Sequence, residues 1–479
     1  MIKNKLLGFF QNKIFKVGSL SLVATILTRA INLIAVPIFS RLLTTSEYGS
    51  VEVFMTYVNI FIVVLGLDIQ GAVGKGRLDH EDDKDGFLCS GILMSTISAV
   101  LIIFIINIFF YLLQGIFGLE RWLVNVMLIY SYAMFLMSYR SADYNFLYEY
   151  KKNMKMTVSV AVLNLSLSIL FIEVFFKEAH VLGRVLGATI PTVICGVIVY
   201  AGYVKRGSRT FKRSYNKYFL DFGIPLIPHN LSHLVLSSSD RIMIKNMISA
   251  ADSGIYSLSY TLGMMIQVAS EAMNQVFGPW LFRRMQAEEH QKIRNVQRIY
   301  LLLYCSVVVG VLAISPEIIK IIGSKEYWDG TNIILWIVFA TFLNFTYTLY
   351  VNIEFFYRKT ALISSGTILA AITNIGLNFF YLKTHGYYFA AISTVISYSA
   401  LLLFHAIIVN YVLKIKFVDN IYVFVVVGVV FGITCFMQLL LWSVLYRLLL
   451  ALICEIVIGG VLLKLWRKYS KDLSEAYDK

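Results

Sequence analysis

An arginine sits where hydrocarbon is expected. Residues 18 to 40 form one long apolar run with Arg29 inside it, and at 3.6 residues per turn Thr25, Arg29 and Asn32 share a helical face. A charge at that depth faces protein or water rather than lipid. A guanidinium stays protonated and grips phosphate or carboxylate oxygens in a bidentate fork; a carboxylate on a neighbouring helix would satisfy the same group. A second polar face follows Pro225 and Pro228. His229, Ser232, His233, Ser237 and Asp240 fall on one stripe, Arg241 adjoins it, and Gln267, Glu271 and Asn274 recur at helical spacing in the next run.

These residue types suit two kinds of chemistry. Cations, amides and imidazoles can hold an anionic, hydroxyl-rich cargo, so Thr25, Arg29, Asn32, His229, His233, Arg241 and Asn274 are the candidate cavity residues. Buried carboxyls can exchange a proton or Na+ in step with a conformational change. Glu271, flanked by amides, is the first candidate for that coupling role, with Asp240 and Asp68 beside it. Asp68, like Glu173, lies close enough to a span end to be solvated. His229 and His233 read equally as structural histidines, and Arg241 as one half of an interfacial pair with Asp240.

Other charged residues have plainer readings. Arg140 and Asp143 form an interfacial ion pair, Arg41 snorkels, and His405 and Glu455 are structural. Asp83-Lys84-Asp85 matches a metal-nucleotide motif but belongs to the acidic stretch from Asp79 to Asp85, a solvated turn. No phosphate-cradling glycine loop ending in Lys-Ser/Thr occurs, which excludes nucleotide as the fuel. The five cysteines have no paired spacing, so neither a disulfide framework nor a metal site is expected. No cofactor is expected beyond a coupling H+ or Na+.

The elements that must position these residues are membrane helices. Of 479 residues 58% are hydrophobic and 15% charged, too much apolar surface for one soluble core. About fourteen spans are expected, near residues 17–40, 50–67, 87–112, 122–140, 156–176, 182–204, 219–239, 254–280, 299–314, 331–355, 361–382, 387–412, 420–442 and 446–466. A short amphipathic segment over residues 6–15 would lie on the cytoplasmic surface. The net charge of +14 comes from clusters between spans. Most of the Lys and Arg residues fall on one side when both termini are cytoplasmic, which is a topology signal and not a nucleic-acid footprint. Connections are short, so the chemistry belongs inside the bilayer.

Three segments recur a little over 200 residues apart. Leu43–Gly49 matches Ile248–Gly254, Ala188–Ile194 matches Ala390–Ile396, and Tyr150-Lys151-Lys152 matches Tyr357-Arg358-Lys359. Six spans separate the copies, so the repeats insert in the same direction. The expected fold is all-α: two six-helix lobes, 17–204 and 219–412, related by a pseudo-two-fold along the membrane normal. A cytoplasmic segment 1–16 precedes them, a basic linker 205–218 joins them, and two extra helices with a basic tail, 413–479, follow. The linker reads as a topology signal in contact with anionic lipid.

The pattern Phe39-Ser40-Arg41-Leu42-Leu43-Thr44-Thr45-Ser46-Glu47-Tyr48-Gly49, with a second copy ending Asp252-Ser253-Gly254, resembles Wzx-type bacterial polysaccharide flippases. These are O-antigen or capsule repeat-unit transporters of the MATE-like MOP superfamily. The resemblance implies a non-enzymatic transporter in the bacterial inner membrane. It would flip undecaprenyl-diphosphate-linked oligosaccharide by alternating access, amid membrane lipids and beside a polysaccharide polymerase. Cavity cations are implied as well, Arg29 at the first-helix position. A cation-coupled exporter of small molecules is the alternative within the superfamily; drug resistance dependent on Glu271 would reveal it. A membrane glycosyltransferase or polymerase is the alternative from another class, and sugar incorporation by the purified chain would reveal that.

Overall fold

A computed structural model describes residues 30, 31, 33–357 and 359–474. Thr25, Arg29, Asn32 and the segment 6–15 lie outside the described residues. Among the described residues all regular structure is helical, and eleven helices are long and apolar enough to cross a membrane. These coincide with eleven of the expected spans. The first expected span is described only in part. The seventh and eighth, expected to be continuous, are instead each broken by a single 3-10 turn, at Ile224–Leu226 and Met264–Ile266. Pro225 explains the first break, because it cannot donate to the preceding turn. At the second, Gly263 packs so closely on Ile337 that a Cβ there would lie 2.6 Å from its side chain.

The chain divides into two compact units, Met1–Leu234 and Val235–Lys479. In the first, α1 (Leu33–Leu42) leads into α2 (Thr45–Gly66), followed by α3 (Lys84–Ile108), α4 (Arg121–Phe146), α5 (Tyr150–Leu170), α6 (His180–Arg206) and α7 (Arg213–Gly223). The Thr44-x-x-Glu47 motif starts α2 as a capping box: Thr44 Oγ1 accepts from the Glu47 amide at 3.3 Å, and Glu47 Oε2 accepts from the Thr44 amide at 2.8 Å. Phe87, Phe135, Tyr139, Tyr203 and Phe219 form the centre of its core. Gly183 and Gly187, four residues apart on α6, let it close on the turn Phe171–Phe175 that follows α5 and on α5 itself, respectively. A Cβ at 187 would sit 2.4 Å from the Ser168 Cα, nearer than real side chains approach.

The end of the basic linker is tied to the rest of its unit. Lys212 Nζ donates to Asp83 at 2.6 Å, Tyr215 OH donates to the same carboxylate at 2.9 Å, and Ser90 Oγ donates to Asn216 at 2.7 Å. Asp83, expected to be only part of a solvated turn, thereby anchors the start of α7 and also caps α3 through the Gly86 amide.

α8 (Ile227–Met247) carries the chain from the first unit into the second. There follow α9 (Ala250–Gly263), α10 (Gln267–Gln286), α11 (His290–Ile322), α12 (Thr331–Phe356), α13 (Thr360–His385), α14 (Tyr387–Ile407), α15 (Asn420–Leu439) and α16 (Val444–Ser474). Ser249, the counterpart of Thr44 in the sequence repeat, caps α9: its Oγ accepts from the Asp252 amide at 3.0 Å. The repeated motif is therefore a helix-start device in both units. α14 packs along both α12 and α13, and α16 along α11. The small residues Ala390 and Ala391 of α14 are buried with Ile244, Tyr256, Ile333 and Ile337.

Candidate functional site

The polar stripe of α8 ends in a buried cage within the second unit. Asp240 is 1% exposed. Its Oδ2 accepts from Tyr256 OH at 2.6 Å and from Thr394 Oγ1 at 2.9 Å, and its Oδ1 accepts from Asn378 Nδ2 at 2.6 Å. A further layer locks these donors. Ser393 Oγ donates to Asn378 Oδ1 at 2.7 Å, and Ser239 Oγ donates to Asn374 Oδ1 at 3.2 Å. Local sequence accounts for each placement. Asn374 and Asn378 are one turn apart on one face of α13, Ser393 and Thr394 follow the alanines that bring α14 close, and Tyr256 lies two turns into α9.

Every group in the cage that could accept a cation offers oxygen: carboxylate, hydroxyl or side-chain amide. That is the donor set of hard ions, not of zinc or other thiophilic metals. The hydrogen-bond partners of Asp240 are neutral. A carboxylate withdrawn from water into such surroundings is balanced by a proton or a small cation, since a bare buried charge costs at least several kcal/mol.

The other candidates are scattered. Arg241 is half-buried, its guanidinium 5.2 Å from the Tyr260 ring, and its carbonyl accepts from Ser253 Oγ at 3.0 Å. Asn274 ties three helices, its Oδ1 accepting from Tyr300 OH at 3.0 Å and Thr348 Oγ1 at 3.4 Å. Glu271 is exposed on α10, and His233 is half-buried on α8. His229 falls in the first turn of α8.

Asp68, expected to be solvated, is buried at 3% exposure. Asn230 Nδ2 donates to one of its oxygens and Gln70 Nε2 to the other, the latter at 2.6 Å. Leu67 and Asp68 both adopt left-handed backbone, φ 53° each, which non-glycine residues enter only under constraint from their surroundings. The Arg140–Asp143 pair is present but larger than expected. Arg77 NH1 reaches Asp143 Oδ1 at 2.6 Å, while Arg140 NH1 and Tyr203 OH share Oδ2 at 2.7 and 2.6 Å. His405 is paired with Glu354, and Glu455 accepts from Ser306 Oγ at 2.6 Å.

Sequence reasoning missed Asn374, Asn378, Thr394 and Tyr256. A signal existed for the asparagines, two amides one turn apart in an apolar span. It also missed Arg184 of α6, whose guanidinium lies 4.0 Å from the Phe39 ring and donates to Ser168 Oγ at 2.9 Å.

The family model described as "Polysaccharide biosynthesis protein" matches residues 15–286. A protein of the Lsg locus of Haemophilus influenzae is 26% identical over 75% of this chain and 89% of its own length. The "Probable low-salt glycan biosynthesis flippase Agl15" of Haloferax volcanii is 19% identical over 82% of this chain and 83% of its own. Among solved structures, the lipid II flippase MurJ in an inward closed conformation is similar with a TM-score of 0.68 at 13% identity, covering 94% of this chain and 99% of that one. An inward-facing multidrug resistance transporter of the MATE family and MOP superfamily has a TM-score of 0.55 at 13% identity, covering 86% and 99%. Both share this chain's fold.

Proposed function

We propose that this chain, which belongs to the polysaccharide biosynthesis protein family, is a multi-pass membrane transporter that flips a lipid-linked oligosaccharide for polysaccharide synthesis, driven by an ion bound at Asp240. The finer reading is an undecaprenyl-diphosphate-linked repeat unit moved across a bacterial inner membrane, with both termini cytoplasmic and a polymerase receiving the product. Family membership and the flippase-type fold support the cargo class. The observation that carries the coupling mechanism is the buried all-oxygen cage around Asp240.

The physical demands of the task fit those parts. A pyrophosphate carries about two negative charges and cannot enter hydrocarbon unpaired. A guanidinium in the first span meets that need, which assigns Arg29 to the headgroup. The cargo gains no energy by being flipped, so net export requires a second gradient. Na+ suits the cage better than a larger ion, because a few fixed oxygens replace its hydration shell. Binding there draws Asp240 of α8, Asn378 of α13 and Thr394 of α14 together, and release lets them part.

The test measures lipid-linked glycan on each leaflet in cells carrying Arg29→Ala or Asp240→Asn. Arg29→Ala should leave the glycan on the cytoplasmic leaflet, and Asp240→Asn should remove the dependence of export on Na+. Normal export with Arg29→Ala defeats the headgroup assignment. Unchanged ion dependence with Asp240→Asn defeats the coupling assignment.

A further inference from the structure

Two buried titratable side chains of the second unit take no part in the Asp240 cage. Glu354, near the end of α12, and His405, near the end of α14, are both 0% exposed, and His405 Nδ1 lies 2.8 Å from Glu354 Oε1. Their far atoms, Glu354 Oε2 and His405 Nε2, are buried too and have no hydrogen-bond partner among the described residues. Among the described residues the other buried carboxylates are built differently, Asp68 having Gln70 on one oxygen and Asn230 on the other. Asp143 has both oxygens occupied by Arg77, Arg140 and Tyr203, and Asp240 has both occupied by Asn378, Tyr256 and Thr394. A fixed polar pair is expected to satisfy both ends, because an orphaned buried polar atom is destabilising. A pair joined by one contact and dry at both far ends suits a group that takes on and gives up a proton.

The surroundings leave room for that. Gly366 of α13 faces the imidazole so closely that a Cβ there would lie 2.6 Å from Nε2, and glycine is what keeps the nitrogen uncrowded. From α12 the Tyr347 ring lies 5.8 Å from the imidazole, and from α14 itself Phe404 stands edge-on at 5.3 Å. The charged residues of the packed helices are placed elsewhere. Lys383 and His385 occupy the last turn of α13, and Asp252 the first turn of α9. Glu271 is exposed on α10, while Arg283 and Arg284 lie in that helix's last turn. Arg294 donates to the Lys416 carbonyl, and Arg298 pairs with Asp419. Lys359 meets Glu354 only through its backbone amide, which donates to the Glu354 carbonyl at 2.9 Å. Tyr256 and Tyr260 on α9, and Tyr387, Tyr388 and Tyr398 on α14, complete the titratable groups of those two helices.

We propose that Glu354 and His405 form a proton-binding site distinct from the Asp240 cage, at the opposite end of α14. Thr394 and His405 are about 16 Å apart along that helix at 1.5 Å per residue. In the proton-poor form one proton is shared between Nδ1 and Oε1. Uptake places a second on Oε2 and takes the pair from a single negative charge to neutral; release restores the negative charge. Only N–H and O–H bonds form or break.

Protonation can be tested apart from transport, whereas its place in a cycle rests on the flippase reading. Infrared difference spectra between acid and alkaline buffers are recorded on the full chain in lipid nanodiscs. The wild type should show a buried carboxylic-acid carbonyl band that titrates, is absent in Glu354→Gln, shifts in midpoint in His405→Gln and persists in Asp240→Asn. A band unchanged by Glu354→Gln, or no titrating band at all, overturns the proposal. Should Glu354→Gln fail to fold, Gly366→Ala keeps both groups while crowding Nε2. A tenfold or larger change in the proton concentration at midpoint supports the site, and an unmoved midpoint overturns it. A wild type that titrates without flipping glycan would overturn the transport reading and leave the proton site standing.

Discussion

Substitution of Asp240 separates the folding role of the cage from its coupling role. Tyr256 and Asn378 each donate to the carboxylate at 2.6 Å and Thr394 at 2.9 Å. In Asp240→Ala the Tyr256 hydroxyl and the Asn378 N–H aimed at the carboxylate lose their acceptor, whereas Thr394 retains the Ala390 carbonyl at 2.8 Å and the Asn378 amide keeps a longer contact to Asn374 Oδ1 at 3.4 Å. An orphaned buried donor costs about 1–3 kcal/mol, so two of them cost about 4 kcal/mol. Asp240→Asn keeps one oxygen for Tyr256 and Thr394. Asn378 can then turn its own oxygen toward the new amide, because Ser393 retains the Ala390 carbonyl at 3.0 Å. That rearrangement costs about 1 kcal/mol. The asparagine variant should therefore fold with a melting temperature near the wild type but lack the charge that holds a cation. With Na+ at about 100 times its Kd the wild type gains about 2.7 kcal/mol and the variant nothing. The assay is thermal unfolding of purified protein in NaCl against choline chloride at constant ionic strength. Equal stabilisation of wild type and Asp240→Asn by Na+ would refute the cage as the cation site. Wild-type melting of Asp240→Ala would refute the hydrogen-bond reasoning itself.

Packing and pH give two further tests. Gly187→Ala puts a methyl 2.4 Å from the Ser168 Cα and should lower stability by about 1–3 kcal/mol. Gly202→Ala on the same helix meets open space and should leave melting unchanged or raise it by up to about 1 kcal/mol; equal losses in the two would show that helix closeness at 187 is not the cause. Burial pushes the Asp419 carboxyl up, but hydrogen bonding and attraction from Arg298 outweigh it and leave it below the usual carboxylate value. A depressed folded pKa means that the stabilisation is present above the unfolded carboxylate range and is lost as pH falls through the folded value. Melting curves on acidification should thus show a loss below about pH 4 that Asp419→Asn removes. An identical acid limb in that variant would exclude the pair as its source.

Hydropathy and charge placement determined the helical membrane architecture, since a span is recognised by its own length and composition and needs no knowledge of its neighbours. The eleven apolar helices were legible for that reason, as was the polar stripe of α8 that contains Asp240. The Thr44 and Ser249 repeat was legible too, because helix caps are local, involving residues three apart in sequence. What crosses from one helix to another was not. Asp240 meets Tyr256, Asn378 and Thr394, Glu354 meets His405, and Asp68 is buried by Asn230. Periodicity tells which side of a helix is polar, but the register between helices distant in sequence depends on how closely small residues such as Gly187, Gly366 and Ala390 let the backbones approach. Only the folded chain sets those distances, and with them whether a carboxylate faces water, an arginine or a closed ring of neutral donors.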